Sequence, residues 1–231
     1  NKINEAINAY TRALELDNSL YDAFYNRANA KDDLADFIGA IEDYDKFIQH
    51  DPNYPDAYCN RGNAKRKIKD YNGAIEDYDK AISFNKNDYE SYNNKGMTYK
   101  AKGEYKEALN QYTLALSINP NYSIAFNNRG WVKFNLNDFF GAEDDFTKAI
   151  ELSKAYGEFY NSRGSAREKL NKLEDALIDF DNSILIKPNY SLAYYNRGKI
   201  KKMMGDVNGA RDDYNYAVTL DSSVKNWDKY L

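Results

Sequence analysis

The chain has 231 residues, with 32 Lys or Arg against 36 Asp or Glu and a formal net charge of −4. That balance excludes general nucleic-acid binding, which needs a basic surface to neutralise phosphates, and no apolar run is long enough to span a bilayer. One cysteine excludes an intrachain disulfide and a thiolate zinc cluster, and it fits a reducing compartment such as the cytoplasm.

A period of 34 residues runs along the chain: Gly62 recurs as Gly96, Gly130, Gly164 and Gly198, and Ala28 fills the slot upstream. A fixed period of this length is the sequence mark of a solenoid, because one helix pair cannot bury its apolar face without stacked neighbours. With position 1 at Tyr21, Pro55, Tyr89, Ser123, Gly157 and Ser191, apolar residues fall at helical spacing over positions 1–14 and again over 17–30. Turn chemistry at Gly103-Glu104, Asn137-Asp138 and Gly205-Asp206 separates the two helices. In chain order this gives a half repeat over 1–20, repeats at 21–54, 55–88, 89–122, 123–156, 157–190 and 191–224, and a partial capping helix over 225–231 with Trp227 near its next aromatic slot. The half repeat lacks its first helix, so the native protein is expected to continue upstream. Pro52, Pro120 and Pro188 occupy position 32, whereas Lys86, Lys154 and Ser222 leave their helix exits without that stop signal.

The unit resembles the tetratricopeptide repeat. Position 4 is aromatic throughout (Phe24, Tyr58, Tyr92, Phe126, Tyr160, Tyr194), and position 20 is Ala (Ala40, Ala74, Ala108, Ala142, Ala176, Ala210). Position 24 is aromatic (Tyr44, Tyr78, Tyr112, Phe146, Phe180, Tyr214), while Phe47 and Ser183 depart from the usual Ala at position 27. The resemblance covers nearly the whole chain and implies an all-α, right-handed superhelical solenoid of antiparallel A and B helices, read here as a single domain over 1–231. Most of the 22 tyrosines fall on its packing slots.

Charges also repeat. Position 7 is basic at Arg27, Arg61, Lys95, Arg129, Arg163 and Arg197; position 11 is basic except at Tyr99; position 23 is Asp except at Gln111. Positions 11 and 23 change together in the third repeat, which predicts contacts within a repeat, such as Lys65–Asp77 and Lys133–Asp145. Read as exposed pairs between helices A and B, each is expected to contribute about 0–1 kcal/mol.

The resemblance places peptide binding on the concave face lined by the A helices, at positions 2, 5, 6, 9, 12 and 13. Position 6 is an asparagine ladder with members Asn60, Asn94, Asn128 and Asn196, and each amide can both donate to and accept from a peptide backbone. Asn63, Asn127 and Asn161 add amides beside it. Met97, Trp131 and Phe134 form an apolar centre of the kind that anchors partners. Arg66, Lys67 and Lys100 flank it on one side and Lys169, Lys199 and Lys202 on the other, while Asp22, Asp32 and Asp33 make the first repeat acidic. An extended segment with an apolar anchor and acidic neighbours fits this pattern. The family's chaperone-tail binders need basic residues at positions 5 and 2; Tyr25, Cys59 and Glu90 stand there, so that mode is not expected.

No nucleophile–base pair, phosphate-binding glycine loop or metal-spaced His/Cys set is present, so neither an enzyme nor a cofactor is expected. His50, the single histidine, reads as a side chain at a helix end, and Cys59 as a lone thiol at a variable slot. The leading expectation is a scaffold that binds a protein or extended peptide, without nucleic acid or membrane insertion. The alternatives are a recruiting or regulatory arm of a larger enzyme, and a module that self-associates end to end or as a dimer.

Overall fold

A computed structural model describes residues 2–223; the expected helix over 225–231 lies outside them. The described residues form thirteen α-helices and no strand. Helix α1 (Lys2–Leu16) is followed by the pairs α2 (Tyr21–Asp33) with α3 (Phe37–His50), α4 (Pro55–Lys67) with α5 (Tyr71–Phe84) and α6 (Tyr89–Lys102) with α7 (Tyr105–Ile118). Then come α8 (Ser123–Asn135) with α9 (Phe139–Leu152), α10 (Gly157–Lys169) with α11 (Leu173–Ile186) and α12 (Ser191–Met203) with α13 (Val207–Leu220). The helices divide into two compact units, one ending at Asn119 and the other beginning at Pro120.

The same local chemistry builds each pair. The turn from A to B passes through one residue with positive φ at position 15: Ala35 (61°), Lys69 (66°), Gly103 (81°), Asn137 (62°), Asn171 (57°) and Gly205 (91°). Four B helices are then capped by an aspartate that accepts from the glycine N–H three residues on: Asp36–Gly39, Asp70–Gly73, Asp138–Gly141 and Asp206–Gly209, at 2.9–3.1 Å. A Cβ at any of these glycines would lie 2.2–2.4 Å from the capping carboxylate. Where Glu104 or Lys172 replaces the Asp there is no side-chain cap, and Glu107 or Asp175 replaces the glycine.

All six B helices of the full repeats stop at position 30, with or without the proline. The exits read as unprotected are held by an extended residue at position 31, whose N–H donates back to position 27. At two of them its side chain also closes a turn, Asn85 accepting from Asn87 N at 3.0 Å and Asp221 from Ser223 N at 2.9 Å.

Within each unit a B helix packs on the A helix of the next repeat, and successive A helices touch along one face: α2, α4 and α6 in the first unit, α8, α10 and α12 in the second. The core between the layers is the repeated set. All six position-20 alanines are fully buried, as are Tyr78, Tyr112, Phe146 and Phe180. The position-8 glycines exist because the position-24 ring lies on them; a Cβ at Gly96 would meet Tyr112 at 2.8 Å and one at Gly130 would meet Phe146 at 2.7 Å. No helix among the described residues is long and apolar enough to cross a membrane.

Candidate functional site

The charged stripe forms, and it is structural. Lys31, Lys65, Lys133 and Lys201 pair with Asp43, Asp77, Asp145 and Asp213 of their own repeats at 2.7–2.9 Å, and Arg167 pairs with Asp179. The expectation that these pairs are exposed is corrected: the aspartate side chains are 0–6% exposed. The sequence reading also missed the principal partner. The position-7 arginine forks onto the same carboxylate through Nε and Nη2, as in Arg27–Asp43, Arg61–Asp77 and Arg163–Asp179 at 2.5–2.9 Å. Its remaining nitrogen reaches back one repeat, Arg61 to Asp45 at 2.6 Å and Arg197 to Asp181 at 2.8 Å. Hydrogen bonding to Asp43 raises the Arg27 guanidinium further above its usual pKa, against the pull of burial.

The A-helix face is different. Three of the position-6 amides are partly committed within the protein, donating to position 5 of the preceding repeat. Asn60 donates to Tyr25 Oη at 3.2 Å, Asn94 to Cys59 Sγ at 3.8 Å and Asn196 to Asn161 Oδ1 at 2.9 Å. Asn161 and Asn196 are buried, whereas Asn60, Asn94 and Asn128 are half-buried. Asn63 Oδ1 accepts from Tyr78 Oη at 2.9 Å, and half-buried Asn127 has no partner at its Oδ1.

Of the apolar centre, Met97 belongs to the first unit and Trp131 and Phe134 to the second. Trp131 and Phe134 are half-buried, with ring centroids 5.2 Å apart; Trp131 sits 5.5 Å from Phe146, and its indole N–H donates to Ser162 at 2.9 Å. The pair is therefore largely packed on its own core rather than exposed. Met97 is half-buried and its sulfur accepts from Asn93.

Cations occupy the C-terminal half of the face. Half-buried Arg66 has no partner at Nε, and half-buried Lys100 makes no ion pair among the described residues, its ammonium pKa lowered by burial. Lys67 and Lys169 are exposed, Lys199 pairs with Glu168 at 2.7 Å, and Lys202 is half-buried. The N-terminal ends of α4 and α6 carry a feature that sequence reasoning did not assemble. A cavity of about 360 Å³ is lined by Tyr25, Pro55, Asp56, Cys59, Asn60, Asn85, Asp88 and Glu90. Its signal was the acidic residue at position 2 in both repeats. Burial pushes the Cys59 thiol up, as expected of an unreactive thiol, and His50 stacks on Tyr21 with centroids 3.7 Å apart. Among the described residues no group of three or more His, Cys, Asp or Glu is placed to hold a metal ion.

A family model described as "Tetratricopeptide repeat" matches residues 55–88 and 89–122. No curated protein sequence matches the chain. Among solved structures, PilF of Pseudomonas aeruginosa is 17% identical, with a TM-score of 0.74 over 96% of this chain and 95% of its own. YrrB, described as a TPR protein with an unusual peptide-binding site, is 23% identical, with a TM-score of 0.62 over 81% of this chain and 98% of its own. MamA is likewise 23% identical, with a TM-score of 0.63 over 71% of this chain and 96% of its own. At these identities the structural likeness concerns the fold, and it agrees with the family match and the repeat read from the residues. Residues 55–122 thus match the tetratricopeptide-repeat family, and the described helices have the all-α solenoid fold of tetratricopeptide-repeat structures.

Proposed function

We propose that this chain is a protein-interaction scaffold that binds an extended peptide along its A-helix face. One contrast carries the reading. Between helices A and B the charges at positions 7, 11 and 23 are closed into ion pairs, whereas on the A-helix face Arg66 Nε, Lys100, Asp56, Asp88 and Glu90 have no ion-pair partner among the described residues. Unmatched charge beside half-buried amides is what a surface offers to a partner that supplies the missing groups. The face in the first unit is bipolar, with carboxylates toward the helix N-termini and Arg66, Lys67 and Lys100 toward the C-termini. A polypeptide can meet both, and the amide oxygens of Asn60 and Asn94 stand between them to accept from its backbone.

Affinity capture from a lysate of the source cell, comparing wild type with the charge reversal Lys67→Glu/Lys100→Glu, tests this. Partners held by wild type and depleted on the variant support the A-helix face. Equal retention on both moves binding elsewhere and ends this reading.

A further inference from the structure

Repeat 5 shows how this chain holds a cation where one repeat meets the next. Glu158, at position 2, pairs with Lys187 at position 31. The same ammonium lies 4.9 Å from the ring centroid of Tyr190 at position 34. Repeat 2 has Asp56, Asn85 and Asp88 at those three positions. The acid is kept, an amide replaces the lysine, and a second acid replaces the tyrosine.

All three residues line the cavity of about 360 Å³, and Glu90 of α6 joins them there. The cavity stands where bulk is missing. In repeat 1, Tyr54 at position 34 packs on Tyr25 at position 5 and Phe47 at position 27, with ring centroids 5.3 and 5.2 Å away. Repeat 2 has Asp88, Cys59 and Ala81 at those positions, so no ring fills the place. Asp88 is half-buried and caps α6, accepting from Ser91 N at 3.1 Å. Asp56 and Glu90 are exposed, and their carboxylates make neither a hydrogen bond nor an ion pair among the described residues. An acid in the first turn is favoured by the dipole of its own helix. That accounts for each acid singly, but not for a hollow that collects three of them and no cation.

We propose that this cavity takes a lysine or arginine side chain of the bound peptide, its cationic head paired by Asp56 and Glu90 as Lys187 is paired by Glu158. Tyr25, Pro55 and Cys59 give the aliphatic stem a wall to lie against. The inference rests on the peptide-binding reading above and adds the side chain recognised at the N-terminal end of the first-unit face.

The test is a random library of short, end-blocked peptides selected on the wild-type chain. The best binder is then compared with an uncharged twin, norleucine replacing an enriched lysine or citrulline an enriched arginine. Wild type should enrich a basic residue at one peptide position and prefer it over the twin by about tenfold. Asp56→Asn/Glu90→Gln should abolish that preference, with binding of the twin unchanged and the helical circular dichroism retained. Asn85→Lys places a lysine of the chain where repeat 5 has one. It should weaken the basic peptide and spare the twin, a pairing that simple damage to the fold would not produce. Binders without basic preference, or a preference that survives either change, would show that the acids serve their helix ends alone; the subsite fails and peptide binding stands. A library that yields no binder overturns both readings.

Discussion

Asp179 is the point at which the repeat's electrostatics become a stability question. Its side chain is fully buried and takes Nε and Nη2 of Arg163 and Nη1 of Arg167. Two half-buried cations surround this one buried anion; removing it strands the Arg163 fork, while Arg167 keeps its pair with Glu143 at 2.9 Å. Asp179→Ala should therefore cost about 3–5 kcal/mol in urea unfolding, whereas Lys148→Ala, which breaks the exposed pair with Glu151 at 3.0 Å, should cost under about 1 kcal/mol. Equal effects would mean that the buried ladder is not what ties helix A to helix B. The third repeat shows the alternative solution: with Gln111 in place of the aspartate, Lys95 turns to Asp79 of the repeat before, at 2.5 Å. A smaller effect in the opposite direction belongs to Lys69, whose φ of 66° costs a side-chain residue about 1 kcal/mol or more. Lys69→Gly should raise stability by a few tenths of a kcal/mol to about 1 kcal/mol, the gain being reduced by the added freedom of the unfolded chain, and a fall in the denaturation midpoint would refute this.

At the scale of the helix, the capping aspartate and its glycine act as one device. Gly73→Ala alone places a Cβ 2.3 Å from the Asp70 carboxylate and displaces the cap, a loss of about 1 kcal/mol that the similar gain in helix propensity largely offsets. Asp70→Ala alone loses the cap, typically about 1 kcal/mol. The double variant has no carboxylate to collide with and gains helix propensity at position 73, so its cost should be clearly less than the sum of the two single costs; strict additivity in a double-mutant cycle would disprove the coupling. This device was written in the sequence, since Asp and Gly appear and disappear together at positions 16 and 19, just as positions 11 and 23 do. The helices, their period and the A–B ion pairs were legible because each is repeated in register. The site was less so. That Asn60 and Asn94 spend their N–H groups on the preceding repeat depends on the stacking of units, and the burial of Asn161 depends on how α10 sits among its neighbours. Tyr112, whose hydroxyl has no hydrogen-bond partner, was encoded as a Tyr without its Asn partner, but that pairing becomes visible only once Tyr44–Asn29 and Tyr78–Asn63 are seen.

Across the molecule, the buried phenols make stability depend on pH at the alkaline end. Burial raises Tyr78 from its ordinary value of 10.0 to about 12, and it drives Tyr44 and Tyr112 upward as well. A folded-state pKa above the unfolded value means that the native state holds its proton more tightly. The contribution is fully present below pH 10 and is lost as pH rises through the folded values, because the unfolded chain is free to ionise first. The melting temperature should therefore fall steadily above about pH 10. The three fully protected phenols all lie in the first unit, whereas the second has Phe146 and Phe180 at the same slots and only Tyr214 as a phenol. The variant Tyr44→Phe/Tyr78→Phe/Tyr112→Phe uses a residue that two repeats already accept there, and Tyr112 gives up no hydrogen bond. It should start from a lower melting temperature, since the Tyr44 and Tyr78 bonds to asparagine are lost, but its decline above pH 10 should be markedly shallower. If wild type and variant decline in parallel when followed by circular dichroism, the alkaline sensitivity arises from the surface charge balance rather than from the stacked tyrosines of the core.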